Sequence, residues 1–397
     1  MSSTTPKTKP AKMPKVLFVI TIIVIVGYVL YQQGYIPKVA MAPQGEDAIL
    51  KHVRDIIEVD VSKNNEFIVN EEQLVWVSED GIKALSLEGE EIWADTHTMK
   101  NIAITQRMPY FAISEKMGRT ISMFDSHGKK ADIKFANPVV CFSMNKNGDM
   151  VVIEKTTDGH VVSAYDKQGN SLGLKRITYV QDVGYPTAAE ISPDGKMIFV
   201  SYLNISDAQI VSNMIAIAIG NDGLTKVDSI LYGTAYSNTV LSEIEFMSEN
   251  VWVAIGDNGI SFNTLAGEEI KKIGDTYCNY VSILDRVIDW QGVHYATISS
   301  TKPTRSTVHP VETLVLYSQD GEEVTEMILK EPTTYLYGDG KTIIVGSDRK
   351  FTAYNRLGKK RWEYTATKDV QKMIPLHPGQ QVIMASKGKV ELMQVVK

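Results

Sequence analysis

Residues that could do chemistry are present, but they do not gather into a recognisable set. The seven histidines include no pair at the spacing of a zinc site. Serine, aspartate and histidine are scattered, without the strand-turn-helix serine of a hydrolase. Asp-rich turns such as Gly256–Gly259 lack the carboxylates of a calcium loop. We therefore expect no catalytic residue, no metal and no cofactor, and we interpret the chain as a non-enzymatic protein.

The residues best suited to binding are five tyrosines and one arginine in the middle of the chain. Tyrosine and arginine anchor protein interfaces because each buries a large rigid surface and keeps a polar tip. We predict that these residues bind a partner, and the alternative is that each tyrosine packs inside the fold. The set is Tyr179, Tyr185, Tyr236, Tyr277, Tyr280 and Arg305.

The elements that must position them follow from a repeat, an apolar strand that ends in a tight turn. Three copies are Phe124–Gly128, Tyr165–Gly169 and Tyr354–Gly358. A short polar residue opens each turn and glycine closes it, as in a type I turn. A second apolar run precedes each copy. Four antiparallel strands in ~40–50 residues is the period of a β-propeller blade. A β-sandwich built of similar hairpins is the alternative.

Some of these motifs resemble known propellers. Ile191–Val200 is similar to the first hairpin of WD40-like repeats, and Gly89–Trp93 and Gly358–Trp362 resemble the tryptophan-bearing turn of pyrroloquinoline-quinone-type repeats. Most repeat units lack that tryptophan, so the resemblance supports the fold and not quinone binding. The whole layout resembles single-pass, membrane-anchored propellers of unknown function in Gram-positive bacteria. This resemblance implies a rigid domain in the cell envelope.

The number of blades depends on how the ring closes. Eight copies of the second and third strands fit into residues 48–397, but the last copy, Val382–Val395, has no fourth strand after it. An open sheet edge invites aggregation, and the segment 49–60 can supply the missing strand. We predict an all-β, eight-bladed β-propeller closed by its N-terminal strand, with seven blades as the alternative.

The N-terminal region has the pattern of a membrane anchor. We predict a basic cytoplasmic tail at 1–13, a transmembrane signal anchor at 14–33 and a linker at 34–47. The apolar run Val16–Tyr31 covers most of a ~30 Å bilayer core at ~1.5 Å per residue. Lysines before the run place the N-terminus in the cytoplasm and the propeller outside. The alternative is a signal peptide cleaved after Ala40–Ala42.

The charge balance excludes nucleic acid as a partner. The chain has 41 basic and 47 acidic residues, and five of the basic residues but none of the acidic ones lie in 1–40. The predicted outer domain therefore carries 36 basic residues against 47 acidic ones, a net charge of −11. Such a surface repels DNA, RNA and anionic lipid.

Topology suggests where a partner binds. In a propeller, the loops between second and third strands lie on the same face as the crossovers between blades. The predicted tyrosines fall in these crossovers, and two long loops, around 203–211 and 299–311, emerge beside them. We expect this face to point away from the membrane, since the chain enters the ring from the other side. The predicted function is a membrane-tethered extracytoplasmic scaffold for a protein or cell-wall partner.

The alternative function is a small-ligand or quinone-dependent enzyme with its site in the central channel. It requires polar groups on the innermost strands. Three of these strands contain Ile102–Ile104, Val140–Phe142 and Ile244–Phe246, which are mostly apolar. A sensor that signals inward is disfavoured because the predicted cytoplasmic tail is short.

Overall fold

The computed structural model of the chain is built of short antiparallel strands. It describes residues 48–59, 64–205, 209–220, 229–257, 259–266, 269–277, 281–282, 295–300, 312–317, 322–338, 342–355, 357–376 and 379–397. Within these residues the chain forms strands β1 to β32 and one short helix, α1. The predicted tail, anchor and linker lie outside the described residues. No helix of the described part is both long and apolar enough to cross a membrane.

Six sheets have four strands each, in simple chain order. Sheet 1 holds β2 (Asn65–Asn70), β3 (Gln73–Ser78), β4 (Gly81–Leu85) and β5 (Glu91–Thr96). Sheet 2 holds β6 (Ile102–Arg107), β7 (Tyr110–Glu115), β8 (Thr120–Asp125) and β9 (Gly128–Lys134). Sheet 3 holds β10 (Val139–Met144), β11 (Met150–Lys155), β12 (Gly159–Tyr165) and β13 (Ser171–Tyr179).

The next three sheets repeat this order after the helix α1 (Val180–Val183). Sheet 4 holds β14 (Tyr185–Ile191), β15 (Met197–Asn204), β16 (Val211–Ala218) and β17 (Ile230–Ser237). Sheet 5 holds β18 (Leu241–Phe246), β19 (Val251–Gly256), β20 (Gly259–Ala266) and β21 (Glu269–Tyr277). Sheet 6 holds β22 (Val281–Ser282), β23 (Tyr295–Ser300), β24 (Glu312–Tyr317) and β25 (Glu323–Leu329).

Sheet 7 has eight strands and contains both ends of the described chain. Its spatial order is β26 (Tyr335–Gly338), β27 (Ile343–Ser347), β28 (Lys350–Tyr354), β29 (Lys360–Thr365), β1 (Ile49–Glu58), β32 (Lys389–Val396), β31 (Gln381–Ser386) and β30 (Val370–Leu376). The chain thus has a propeller fold of many four-stranded blades, and a count of eight requires sheet 7 to be divided into two halves.

The N-terminal strand lies beside the last strand of the chain, as the unpaired final hairpin predicted. β1 runs antiparallel to β32 from the pair Ile49–Val396 to the pair Glu58–Lys389. Its contact with β29 is parallel and has a single residue pair, Ile49–Glu363. The C-terminal hairpin therefore has no bare edge, and β1 belongs mainly with it.

The turns that define the repeat have the predicted geometry. The N–H of Gly169 donates to the carbonyl of Asp166 over 2.9 Å, and the Asp166 carboxylate accepts from the N–H of Gln168 over 2.9 Å. Gly169 has φ +81° and Gly358 has φ +70°. Glycine adopts this left-handed conformation without steric cost, so in the turns that the structure describes the repeated glycine marks where a third strand turns back into the fourth.

Apolar clusters fill the spaces between successive sheets. Val162 of sheet 3 and Val200 of sheet 4 belong to one such cluster. The end of sheet 7 joins sheet 1 in the same way, with Ile383 in one cluster with Phe67 and Leu74. Buried apolar area is the main source of stability here, so each sheet is held by its two neighbours.

The direction of the strands gives the two ends of the ring different loops. At one end of the ring lie the loops that join the second strand of a sheet to the third, and the crossovers that join the fourth strand to the next sheet. We call this the loop-bearing end. The turns that join the first strand to the second, and the third to the fourth, lie at the opposite end, which we call the turn-bearing end. The chain enters β1 at Ile49, on the turn-bearing end, because β1 takes the place of a fourth strand and pairs antiparallel to β32.

The closing strand yields a matched pair of substitutions. Leu50 is 5 % exposed and belongs to a cluster with Trp362 and Met393, whereas its neighbour Ile49 is 45 % exposed. We expect Leu50→Ala to lower the free energy of unfolding by about 3 kcal/mol, because it leaves a cavity at the closure. Ile49→Ala should change it by less than about 0.5 kcal/mol. Urea unfolding followed by tryptophan fluorescence measures both, and equal effects would contradict the closing role of β1.

Candidate functional site

Helix α1 crosses from sheet 3 to sheet 4 at the loop-bearing end. The N–H of Val180 donates to the carbonyl of Asp158 over 3.2 Å, and the N–H of Gly184 donates to the carbonyl of Val180 over 2.9 Å. Gly184 has φ +94°, and a Cβ there would lie 2.3 Å from the carbonyl oxygen of Leu203. Only glycine lets the chain pass this close to β15, so the crossover is fixed against sheet 4.

Two of the predicted tyrosines stand on either side of this helix. Tyr179 is the last residue of β13 and Tyr185 the first of β14, and their exposed fractions are 48 % and 49 %. Ile205 and Ile210, in the loop that follows β15, are also exposed. We define the α1 face as α1 with Tyr179, Tyr185, Ile205 and Ile210. It gathers exposed aromatic and aliphatic side chains at one end of two adjacent sheets.

A cleft of about 400 Å³ lies beside α1. The helix contributes Asp182 and Val183 to its lining. Sheet 4 contributes a row of three residues that the strand register places side by side, namely Tyr202, Asn213 and Ala235. This volume lies in the range of small-ligand sites in proteins, ~300–1,000 Å³.

The cleft exists because β17 has small residues on the side that faces sheet 3. Across three neighbouring strands of sheet 4, Val200, Ile215 and Gly233 lie side by side. The position that Gly233 occupies in sheet 4 is taken by Asp132 in sheet 2 and by Lys175 in sheet 3. A Cβ built on Gly233 would find its nearest heavy atoms 3.9 Å away. A side chain at this position would therefore project into free space, and its absence leaves the cleft open.

The inner part of the cleft is polar at one point. The Tyr202 side chain is buried, and burial raises the pKa of its hydroxyl, while the charge of Arg176 acts in the opposite direction. Asp182 is exposed at the rim. The cleft thus offers the Asn213 amide and a rim carboxylate among apolar groups. These groups can orient a ligand by hydrogen bonds.

Of the other predicted binding residues, the structure places only the side chain of Tyr236, and it does not line this cleft. Tyr236 is half-buried and its hydroxyl lies 3.3 Å from the Asn263 Oδ1 of sheet 5, so it packs between sheets 4 and 5. The Tyr277 side chain, and the whole of Tyr280 and Arg305, lie outside the described part of the chain. Their role in binding stays a prediction.

A second group of polar residues lies at the ends of four innermost strands. Arg107 of β6 reaches Glu245 of β18 with its Nη2 2.8 and 2.6 Å from the two carboxylate oxygens. The same nitrogen is 3.4 Å from Glu190 Oε1 of β14. Ser143 of β10 donates its hydroxyl to the other oxygen of Glu190. We call these four residues the channel clasp, since they connect the innermost strands of sheets 2 to 5.

The clasp is buried and electrostatically coupled. The side chain of Glu245 is 2 % exposed and that of Arg107 is 21 % exposed. Burial and the charge of Glu190 raise the pKa of Glu245 to about 8, although Arg107 lowers it. Burial, together with Glu190, also raises the pKa of the Cys141 thiol to about 11, against an opposing hydrogen bond from Ala189. Burial in the clasp therefore favours the protonated form of Glu245 more than water does.

The clasp corrects the expectation that the innermost strands are apolar. The mostly apolar segments Ile102–Ile104, Val140–Phe142 and Ile244–Phe246 make up half of their strands, yet polar residues of the innermost strands, Glu245 among them, converge in space. The available signal was an acid inside a largely apolar strand, as in Glu190 and Glu245. Burial of such an acid costs free energy unless it is paired. Its presence therefore indicates a cationic partner that lies far away in the sequence.

A smaller polar group lies on the seam between β1 and β32. His52 Nε2 is 2.8 Å from Asp55 Oδ1 and 3.6 Å from Glu391 Oε1. Lys389 Nζ lies 3.1 Å from the same Asp55 oxygen and 2.6 Å from the same Glu391 oxygen. In the described residues this is the cluster whose geometry could hold a metal. The lysine ammonium already occupies the position of a cation, so we interpret the group as an ion-pair network across the seam.

Comparison with known proteins identifies the family. A model described as a family of unknown function, DUF5711, matches residues 49–395. The chain belongs to this family. The matched range begins at the first residue of β1 and ends within β32, so the DUF5711 unit includes both strands of the closing seam. No curated protein matches the chain.

Solved structures similar to the DUF5711 chain support its fold. BamB from Moraxella catarrhalis is 11 % identical, with 87 % of this chain and 100 % of that chain covered and a TM-score of 0.50. The computationally designed Ika8 protein is 14 % identical, with 86 % and 100 % covered and a TM-score of 0.53. The C-terminal WD40 domain of Sif2 is 11 % identical, with 88 % and 99 % covered and a TM-score of 0.57. These likenesses concern the propeller fold alone.

The raised pKa of Glu245 makes stability depend on pH. Between the ordinary value of 4.5 and about 8, the folded chain keeps a proton that the unfolded chain releases. The free energy of unfolding must therefore fall as pH rises through this window, by at most about 1.4 kcal/mol per pH unit. Glu245→Gln mimics the neutral acid and should flatten this part of the curve. Urea midpoints from pH 5 to 8 for both proteins measure the difference, and parallel curves would contradict the assignment.

Removal of the cation serves as the control for this prediction. Arg107→Gln keeps a polar side chain but leaves two buried carboxylates without their positive charge. Breaking a buried pair in this way costs ~3–5 kcal/mol. The loss should be larger at pH 8 than at pH 5, because protonation at low pH relieves the repulsion between Glu190 and Glu245.

Proposed function

We propose that this DUF5711 chain is a membrane-tethered, extracytoplasmic propeller that binds a protein or cell-wall partner through its α1 face, without catalysis. The observation that carries the proposal is the pair of half-exposed tyrosines beside an open cleft, Tyr179 and Tyr185. Large amphipathic side chains around a preformed recess are the usual anchors of a protein interface. A rigid ring of sheets suits this role, because loops carry the contacts while the scaffold holds them.

The proposed placement in the cell rests on the N-terminal sequence. Lysines followed by an apolar run at 14–33 favour a retained anchor with the propeller outside the cytoplasm. The resemblance to anchored propellers of Gram-positive bacteria supports the same placement. The α1 face lies at the loop-bearing end, whereas the chain enters β1 at the turn-bearing end. This arrangement leaves the face open to partners on the side away from chain entry.

The proposed ring has eight blades, with the two halves of sheet 7 counted separately. The single parallel pair between Ile49 and Glu363 supports this division, since β1 pairs along its whole length with β32. In this count every blade has four strands and β1 is the fourth strand of the last one. The α1 face then spans the third and fourth blades.

A second candidate function is binding of a small ligand in the central channel. The channel clasp favours it, because perturbed carboxylates in a buried cluster are typical of functional sites. The clasp residues pair closely with one another, however, and the Cys141 thiol is protonated at neutral pH because its pKa is raised. A cluster whose charges are already compensated supports a structural role better than catalysis.

A photo-crosslinking residue tests the face. We expect benzoylphenylalanine in place of Tyr179 or Tyr185 to form a discrete adduct with a partner in intact cells, because both side chains are exposed beside the cleft. The same residue in place of Leu357 is the control. Leu357 is exposed, but it lies in a turn at the opposite end of the ring. Adducts from Leu357 equal to those from the two tyrosine positions would argue against a specific face.

Cell fractionation tests the tether. We expect the complete chain to sediment with membranes and a chain without residues 1–33 to be released, because the anchor supplies the only long apolar segment before the propeller. A tag at the N-terminus should stay attached to the membrane-bound protein. Loss of that tag during export would favour the cleaved signal peptide instead.

A further inference from the structure

The cleft beside α1 has features that select the chemical class of its occupant, and the inference rests on the proposed binding role of the α1 face. Its volume of about 400 Å³ accommodates one large side chain and little more. Val183 and Ile215 contribute apolar surface, and both also border the cluster between sheets 3 and 4. The cleft therefore continues the apolar space between the two sheets out to the surface.

Polar groups in the cleft favour an aromatic side chain with a polar edge. The Asn213 side chain is half-buried and lines the cleft, and its amide can donate and accept hydrogen bonds. An indole N–H or a phenol reaches this amide while its ring fills the apolar part. Aromatic side chains bury ~150–250 Å² each and are the strongest interface anchors. An aliphatic side chain would leave the Asn213 amide without a partner from the ligand.

Charge favours a basic segment around that side chain. Asp182 is the charged residue that lines the cleft, and it is exposed at the rim. Asp158 is also exposed, and its carbonyl accepts from the first residue of α1. The region after residue 40 carries a net charge of −11. Complementary charge speeds association and selects partners more than it adds affinity.

We propose that the cleft between sheets 3 and 4 receives one aromatic side chain from a basic segment of a partner protein. The ring lies against Val183 and Ile215 and reaches the Asn213 amide. Lysine or arginine residues next to the ring lie over the Asp182 rim. Tyr179 and Tyr185 contact the backbone on either side of the inserted residue.

The structure offers a substitution that closes the cleft without disturbing the fold. Gly233 lies in a strand, and a Cβ there has no heavy atom closer than 3.9 Å. Valine suits a strand, so Gly233→Val should fold and fill part of the cleft. The control is Lys175→Val, at the matching position of sheet 3, where no cleft residue is changed. Equal urea midpoints of the two variants and the parent establish that folding is intact.

Short peptides provide the probe, with the complete chain in nanodiscs. Acetyl-Lys-Trp-Lys-amide should bind saturably, as measured by ligand-observed NMR. Gly233→Val should weaken this binding by about tenfold or more, which corresponds to ~1.4 kcal/mol. Lys175→Val should leave it unchanged. The peptide with Ala in place of Trp should not bind, and acetyl-Glu-Trp-Glu-amide should bind several-fold more weakly.

Three outcomes would overturn the proposal. The first is unchanged binding of the tryptophan peptide to Gly233→Val. The second is equal binding of the acidic and basic peptides. The third is saturable binding of N-acetylglucosamine oligomers that Gly233→Val abolishes while the peptides do not bind, because the occupant is then a glycan.

Crosslinking in the Gly233→Val background separates this inference from the proposed function. If adducts at Tyr179 persist in this variant, the α1 face binds its partner without the cleft. That result would contradict the inference about the cleft but not the proposed function. Adducts that disappear together with peptide binding support both. A parent protein without adducts would remove the proposed function, whatever the peptides do.

Discussion

The structure depends on one interaction, the pairing of β1 with β32. Without it the C-terminal hairpin would end in unpaired N–H and C=O groups, and the cluster of Leu50, Trp362 and Met393 would lose one wall. Because each sheet is stabilised by its two neighbours, a gap at this seam weakens the support of every other sheet. The ion pairs of Lys389 with Asp55 and Glu391 add polar contacts on the same seam.

The packing around the cleft explains how one missing side chain, at Gly233, can leave a binding site open. The backbone of α1 is fixed by Gly184, which passes close to the Leu203 carbonyl, and the opposite wall is a sheet packed on both sides. A missing side chain at Gly233 is therefore not filled by collapse of the surroundings. Preformed recesses of this kind bind with little loss of conformational entropy.

The repeat, the turn glycines and the closing strand could be predicted from the sequence, because each depends on local pattern or on the need to cover an edge. Asp166 and Gly169 specify their turn within four residues. The exposure of Tyr179 and Tyr185 also followed from topology, since crossovers lie at the surface. The tail, the anchor and the residues around Arg305 lie outside the described chain, and their prediction stands on sequence alone.

The cleft and the channel clasp could not be predicted, because both depend on contacts between distant residues. Nothing local links Arg107 to Glu245, which lie 138 positions apart. Gly233 leaves a space only because its row faces sheet 3, and a shift of one residue in register would have turned it away. Tyr236 illustrates the same limit, since neighbouring positions of one strand face opposite sheets.

The seam also determines how such a chain must be made. Asp55 and Lys389 are 334 positions apart, so β1 is synthesised long before β32, the strand with which it pairs. Contacts of such long sequence separation form slowly. Until β32 has been synthesised, β1 carries free backbone groups and needs protection from other chains. Closure of the ring thus competes with association between unfinished chains, and the negative charge of the domain slows that association.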